Sequence, residues 1–265
     1  MAVTRIATLL AAGMLCANVQ AYTITDQYIG SNDHEDGDVI GHTAQFDISR
    51  LSYSRTSATD LQVRVYTNFV NHIGSYPNAD KSGLGRGIGL GDLLLADDWT
   101  PVGTAATGYV SDNFADNIRS THWDWGLALD DRFSATSGSL TLYKLAGPNI
   151  TTLQSSNDFI KSHYTFRDGQ VVAVDTPSTF TNNYGPRGRY YVNQAGGYIQ
   201  FDMDLSGTNL LNGPEMAFHW AMTCGNDVIE GKGPVPVPEP VTLGLLLLSL
   251  LGLGLRRRMR TGSRA

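Results

Sequence analysis

Apolar and polar residues alternate strictly along three stretches of the chain, residues 123–129, 198–205 and 216–222. A period of two places the large apolar side chains on one face of an extended segment, so each stretch predicts a half-buried β-strand. Weaker strand candidates show partial alternation or are rich in β-branched residues. They are residues 23–29, 44–48, 61–70, 90–95, 139–145 and 170–174.

Segments rich in glycine, serine, asparagine or aspartate separate these strands, as in residues 82–89 and 134–138. Residues 184–191 are interpreted as an exposed loop, and residues 231–236, with their glycines and prolines, as a spacer that pairs poorly in a sheet. No convincing 3.6-residue periodicity is found between the two ends of the chain. About nine strands predict an all-β fold, a single β-sandwich or jelly roll over residues 22–231.

The start of the chain has the pattern of a secretory signal peptide. Arg5 precedes an apolar segment, residues 6–17, and Val19-Gln20-Ala21 offers small or compact side chains for a cleavage site. We therefore expect residues 1–21 to be a signal peptide that is cleaved between Ala21 and Tyr22. The chain from Tyr22 onward would then be exported.

The end of the chain combines a spacer (232–240), an uncharged apolar run (241–255) and a basic tail (256–265). The apolar run would form roughly 22 Å of helix at ~1.5 Å per residue, against a hydrocarbon core of ~30 Å. It predicts a short transmembrane helix. The arginines after it would hold that end in the cytoplasm by the positive-inside rule. They are Arg256, Arg257, Arg258 and Arg260.

This tail resembles the PEP-CTERM sorting signal, with Pro238, Glu239 and Pro240 as its motif. The resemblance implies processing by an exosortase, a transient stay in the inner membrane, and delivery to the cell surface or extracellular matrix of a Gram-negative bacterium. Residues 37–41 and 218–231 are also similar to PEP-CTERM surface proteins with one β-rich ectodomain. That second similarity implies a fold and a location, and it brings no active site.

The net charge of the part that we expect to be exported restricts the kinds of partner that it could bind. All 25 acidic residues and 13 of the 19 basic ones lie between Tyr22 and Pro240, so this part carries 13 − 25 = −12. Such a charge disfavours nucleic acid and anionic membranes and suits cation binding or plain solubility.

Beyond the signal peptide Cys224 is the one cysteine, so no disulfide within the domain is expected. Cys224 is either a buried small hydrophobe or a thiol that is reactive or paired with another molecule.

The densest acidic cluster is Asp33-His34-Glu35-Asp36-Gly37-Asp38. Ca²⁺ takes about six to eight oxygen ligands, which aspartates grouped around a glycine supply. Asp33, Asp36 and Asp38 are therefore candidate calcium ligands. Their spacing is not that of an EF-hand loop, so further ligands would have to come from elsewhere in the chain. The alternative is a solvated polar turn.

Two acidic pairs and several tryptophans are candidates for other chemistry. Asp97-Asp98 and Asp130-Asp131 lie near predicted strand ends, and a glycosidase needs two carboxyl groups facing one bond. Aspartate pairs at strand ends are also common in turns. Trp123, Trp125 and Trp220 are expected in the core because of the alternation around them, the alternative being a sugar-stacking platform.

The combined features predict a non-enzymatic surface or matrix protein with a structural or adhesive β-sandwich. The resemblance implies association with exopolysaccharide and biofilm. No catalytic residue is assigned, no nucleic acid partner is expected, and Ca²⁺ is the one candidate ion. Two alternatives stay open: a carbohydrate-binding module assisted by Ca²⁺, and a carboxylate-dependent glycoside hydrolase.

Overall fold

The computed structural model describes residues 20–30, 37–110, 112, 115–145, 153–161, 166–176 and 182–237. Within these ranges the chain forms twelve β-strands. They are β1 (Ala21–Thr25), β2 (Ile48–Arg55), β3 (Asp60–Thr67), β4 (Leu93–Ala96), β5 (Trp125–Leu129), β6 (Ser137–Lys144), β7 (Leu153–Ser155), β8 (Val171–Val174), β9 (Asn182–Asn193), β10 (Tyr198–Asp204), β11 (Glu215–Ala221) and β12 (Val228–Pro234). The helices are α1 (Thr43–Phe46), α2 (Ser156–Phe159) and the 3-10 helices Asn68–Asn71, Pro77–Ala79 and Ala105–Thr107.

Ten strands form one antiparallel sheet in the order β1-β2-β3-β10-β9-β6-β5-β4-β11-β12. The sheet curls until its two end strands, β1 and β12, contact each other. The remaining pair, β7 and β8, is a separate small sheet, and β8 lies against β5 and β11. The prediction of an all-β fold is confirmed. The expected division into two stacked sheets is not seen, because every strand of the large sheet hydrogen-bonds onward to a neighbour.

The main core lies on the inner face of the curled sheet, and a second apolar cluster packs between the strands β4, β5 and β11 and the small sheet of β7 and β8. Residues of β3 and β10 alternate strictly between buried and half-buried, as the period-two pattern predicts. Trp220 of β11 is fully buried, and its indole N–H donates to the carbonyl oxygen of Gly91 at 3.0 Å. Trp123 and Trp125 are buried as well, in two separate apolar clusters. The assignment of all three tryptophans to the core is confirmed.

Residues 184–191, predicted as an exposed loop, belong to β9, the longest strand described. The pairing of β9 with β6 shifts register beside Thr141, where Pro186 is accommodated. Gly188 is required by close packing, because a Cβ there would overlap the carbonyl oxygen of Asp202 on β10. Glycine and proline are therefore strand residues here. The loop interpretation was wrong because local composition does not show the neighbouring strands.

Residues 231–236, predicted as a poorly pairing spacer, continue β12 and pair with β11 as far as Pro234. An end strand tolerates proline, since the missing N–H interrupts no inner ladder. Gly231 and Gly233 are needed because a Cβ at either would be too close to Ile24 of β1 or to Tyr53 of β2. That prediction was wrong, and the compact domain spans Ala21–Pro236.

The predicted targeting segments fall mostly outside the described residues. Ala21 and Tyr22, on either side of the predicted cleavage site, are the first residues of β1. The motif Pro238-Glu239-Pro240, the predicted transmembrane helix 241–255 and the arginines at 256–260 lie outside. Among the helices that the structure does describe, none is long and apolar enough to cross a membrane.

Candidate metal centre

Three carboxylates from distant parts of the sequence meet at one end of the sheet. Asp26 directly follows β1, Asp38 precedes α1, and Asp227 directly precedes β12. One carboxylate oxygen from each lies within 4.8 Å of the others. The contact between the end strands β1 and β12 brings Asp26 and Asp227 together. The cluster is thus a product of the curled sheet.

Asp227 is the structural centre of the cluster. It is fully buried, and its two carboxylate oxygens accept hydrogen bonds from the backbone N–H groups of Ile48 (2.5 Å) and Val228 (2.8 Å). It therefore ties the start of β2 to the start of β12. Asp26 accepts one long bond from the N–H of Tyr28 (3.4 Å) on Oδ1. Its Oδ2 is buried and has no hydrogen-bond partner among the described residues.

A buried arginine positions the loop that carries Asp38. The side chain of Arg167 is buried and donates to the backbone carbonyl oxygens of Gly225 (3.0 Å), Gly37 (3.0 Å) and Asp38 (2.8 Å). Its backbone N–H donates to Oδ1 of Asn226 (3.3 Å). Arg167 thus connects the loop before α1 to the turn before β12, the two loops from which Asp38 and Asp227 project.

Burial raises the pKa values of all three carboxyls, and nearby carboxylates add to the rise. Burial, followed by the charge of Asp38, raises the pKa of Asp26 to about 8. Burial, then Asp26 and Asp38, raises the pKa of Asp227 well above its usual range. Burial raises the pKa of Asp38 too, and the Arg167 charge opposes the rise. Without a cation the cluster therefore retains protons near neutral pH, and a cation would replace them.

The donor set selects the kind of ion that this cluster could hold. All three side chains offer oxygen, and hard cations such as Ca²⁺ and Mg²⁺ prefer oxygen ligands. Of the predicted ligands, Asp38 is in the cluster, while Asp33 and Asp36 lie outside the described residues. Sequence reasoning missed Asp26 and Asp227, because only the pairing of the strands reveals that they are neighbours.

A second group of buried polar residues lies under β11 and β12. Nδ1 of His219 is 2.8 Å from Oε2 of Glu230, and its Nε2 is 2.9 Å from the carbonyl oxygen of Val171. Oε1 of Glu230 accepts from the indole N–H of Trp99 at 2.8 Å. Because both oxygens of the Glu230 carboxylate are bonded, this group satisfies itself and fixes β8 and Trp99 against β11 and β12. No local pattern in the chain predicts this group.

The two acidic pairs considered for glycosidase chemistry accept hydrogen bonds from other residues of the domain. Oδ1 of Asp130 accepts from the N–H groups of Asp131 and Ser139, both at 2.9 Å, and Oδ1 of Asp131 accepts from the N–H of Phe133 at 3.0 Å. These bonds are those of a turn. Asp130 and Asp131 also line a pocket of about 270 Å³ that contains Arg132 and Phe159.

The other pair is held in the same way. Oδ2 of Asp97 accepts from the side-chain amide of Asn209 at 2.7 Å, and Oδ1 of Asp98 accepts from the N–H of Trp99 at 2.8 Å.

Cys224 is fully buried, and burial raises the pKa of its thiol to about 12. Of the two interpretations of Cys224, the buried small hydrophobe is therefore the one that fits.

Comparison with known proteins finds no matching family model, no matching curated protein and no matching solved structure. The resemblance of the tail to a PEP-CTERM signal therefore stays a prediction. What this chain does has to be inferred from its own residues and topology.

Proposed function

We propose that this chain is an exported bacterial surface or matrix protein whose β-domain has a structural or adhesive role and no enzymatic one. The observation that carries the proposal is where the domain begins and ends. The compact unit Ala21–Pro236 fills the interval between the predicted signal-peptide cleavage site and the Pro238-Glu239-Pro240 motif. Cleavage after Ala21 would remove only the first residue of β1. Cleavage near the motif would leave every described strand whole. Val237, directly before the motif, is 70% exposed.

Mass spectrometry of the mature protein from a host that has an exosortase tests this role. We expect a chain that starts at Tyr22 and has lost residues 241–265. Substituting Glu239→Ala, with Glu215→Ala as the matched control, should block the C-terminal cut in the first variant alone. A mature chain that still contains Leu255 would mean that the tail is a plain membrane anchor, and the proposal of exosortase processing would fail.

The carboxylate cluster favours a second, compatible property, which is stabilisation of the domain by Ca²⁺. We propose Ca²⁺ because Asp26, Asp38 and Asp227 offer oxygen ligands only, and because the exposed position of Asp38 leaves room for water ligands. An ion there would neutralise the repulsion among three carboxylates and would tie β1 to β12. The carbohydrate-binding alternative assisted by Ca²⁺ would use the same ion.

Thermal unfolding with Ca²⁺ and with a chelator tests the ion. At a free concentration 100 times the dissociation constant, a bound ion adds about 2.7 kcal/mol to the free energy of unfolding. The variant Asp26→Asn should lose most of this gain, whereas Asp98→Asn, an exposed aspartate outside the cluster, should keep it. An unchanged melting temperature of the parent protein across Ca²⁺ and chelator would exclude a calcium site.

A further inference from the structure

Four adjacent strands, β2, β3, β10 and β9, present an outer face made of polar side chains. The pairing of these strands aligns the outward residues in three rows. The rows are Arg50-Tyr66-Tyr198-Asn193, Ser52-Arg64-Gln200-Tyr191 and Ser54-Gln62-Asp202-Arg189. We call this surface the arginine–tyrosine face. Three interstrand steps of ~4.8 Å make it roughly 14 Å wide, and its length along the strands is similar.

Each arginine of this face lies over a tyrosine ring. The guanidinium carbon of Arg50 is 3.7 Å from the ring centre of Tyr66, and that of Arg64 is 5.1 Å from the ring centre of Tyr198. Arg189 stands over the ring of Tyr191 in the same way, at 5.9 Å. A guanidinium stacked on a ring keeps its N–H edges available, and the stacking restricts the side chain before any ligand arrives.

The arginines of the face have no anionic partner among the residues that the structure describes. Within the described part of the chain, Arg50, Arg64 and Arg189 make no ion pair. Arg64 donates instead to Oε1 of Gln200 at 2.9 Å. Within the three rows the single carboxylate, Asp202, accepts from the side-chain amides of Gln62 and Gln200. The next row continues the same side of the sheet with Asp60 and Asp204, and Asp204 pairs with Arg187 at 3.0 Å. The excess of three cations over one anion is therefore confined to the three arginine rows.

We propose that the arginine–tyrosine face binds an extended polysaccharide that carries carboxylate groups. Arginine pairs with carboxylates through two parallel N–H bonds, and the amide and hydroxyl side chains between the arginines suit sugar hydroxyls. An extended surface of three rows favours a polymer over a small molecule. The net charge of −12 opposes any polyanion, but it opposes nucleic acid more strongly, because duplex DNA carries about one phosphate per 1.7 Å and a sugar-acid polymer carries at most one carboxylate per sugar.

The binding proposal depends on the proposed exported role in one respect, because only an exported protein meets such a polymer around the cell. Binding and export are measured in separate experiments, so the failure of one proposal is distinguishable from the failure of the other. The binding experiment uses the full chain in mild detergent, with immobilised alginate as the acidic polysaccharide. A chelator is present throughout, so that Ca²⁺ at Asp26, Asp38 and Asp227 cannot bridge protein and polymer. The competitors are alginate, the same polymer with its carboxyl groups reduced, and single-stranded DNA.

The variant that tests the face replaces Arg50, Arg64 and Arg189 with glutamine together. The single variant Arg64→Gln is a second measurement should the triple variant unfold. The matched control is Arg86→Gln, since Arg86 is exposed and its guanidinium carbon lies 4.7 Å from the ring centre of Phe133 on a different surface. It removes one charge and one stacked guanidinium, as Arg64→Gln does, and is therefore matched to the single variant.

We expect the triple variant to bind alginate about tenfold more weakly, as the loss of three exposed ion pairs implies. Arg64→Gln should show a smaller loss, and Arg86→Gln should bind like the parent. Binding should fall as salt rises, and only unmodified alginate should compete. The proposal is overturned by no binding to alginate, by equal competition from the reduced polymer, by stronger binding of DNA, or by a loss confined to Arg86→Gln.

Discussion

The hydroxyl of Tyr53 on β2 donates a hydrogen bond to the carbonyl oxygen of Pro234 at the end of β12, at 3.0 Å. The Tyr53 ring is held from its other side by Phe218, whose ring centre lies 4.4 Å away. On β12 itself, Gly233 meets the tyrosine so closely that a Cβ would overlap its hydroxyl. The segment just before the predicted sorting motif is therefore packed against the core.

This contact predicts that Gly233→Ala destabilises the domain. The added methyl would displace a buried ring that Phe218 leaves little freedom to move, and overpacking of this kind costs about 1–3 kcal/mol. The measurement is the free energy of unfolding in urea. Gly213→Ala is the control, because the nearest atom to a Cβ there is at 3.5 Å. Equal stability of the two variants would contradict the close packing of β12.

Replacing Arg167 with methionine should destabilise the protein by about 3 kcal/mol, since one buried and two partly buried carbonyl oxygens would lose a charged donor. The backbone of Gly37, Asp38 and Gly225 would then be left without the side chain that joins these loops. Arg119→Met is the control, because the Arg119 side chain is 60% exposed. Unfolding midpoints in urea compare the two. A midpoint for Arg167→Met close to that of the control would show that the loops are held by other contacts.

The carboxylate cluster predicts a loss of stability with rising pH in the metal-free protein. The pKa of Asp26 rises from 3.8 to about 8 on folding, through burial and the charges of Asp38 and Asp47, with Arg167 opposing them. Between these values the folded protein binds more protons than the unfolded chain does. This contribution to stability is therefore complete at low pH and is lost as the pH rises through the folded pKa.

Unfolding free energies measured in chelator from pH 5 to pH 9 check this prediction. Asp26→Asn should flatten the decline, because the amide does not ionise. The decline should persist in Asp98→Asn, whose aspartate is exposed and lies outside the cluster. A parent protein that gains stability toward pH 8 in chelator would show that the cluster does not hold protons in the folded state.

Cys224 should be inert to thiol reagents in the folded protein, since it is fully buried and its thiol pKa is raised to about 12. Labelling with a maleimide in buffer and in urea measures this, and Cys16→Ser removes the other cysteine of the full chain. We expect labelling in urea only. Rapid labelling of the native protein would restore the interpretation of Cys224 as a reactive thiol.

Strands could be predicted from the sequence where the alternation of apolar and polar residues matches the burial of those residues in the fold. β10 has one face toward the core and the other half-buried, so its burial follows the alternation seen in the sequence. β11 was also predicted from alternation, but it is buried on both faces from Met216 to Ala221 and is not half-buried. β9 and β12 contain glycine and proline because neighbouring strands approach closely, and that requirement is invisible until the neighbours are known. Residues 44–48 were predicted as a strand, but residues 43–46 form α1. Four residues are too few for a periodicity to distinguish a helical turn from a strand.

The candidate metal centre was predicted only in part for a related reason. Asp38 belongs to a run of acidic residues and is visible for that reason, whereas Asp26 and Asp227 stand singly beside strands. Their partnership depends on the contact between β1 and β12 at the two ends of the sheet. Contacts between residues so far apart in the chain produce no local pattern in a single sequence.

The contact between β1 and β12 also separates the two ends of the domain from its carboxylate cluster. Ala21 pairs with Ser54, and Pro234 is bonded to the adjacent Tyr53, so Ala21 and Pro234 lie at one pole of the domain. Asp26 and Asp227 lie at the far ends of the same two strands, about 17 Å along β1 and about 23 Å along β12 at ~3.3 Å per residue. An ion bound by the cluster would therefore fasten β1 to β12 at the pole opposite the one that Tyr53 already closes.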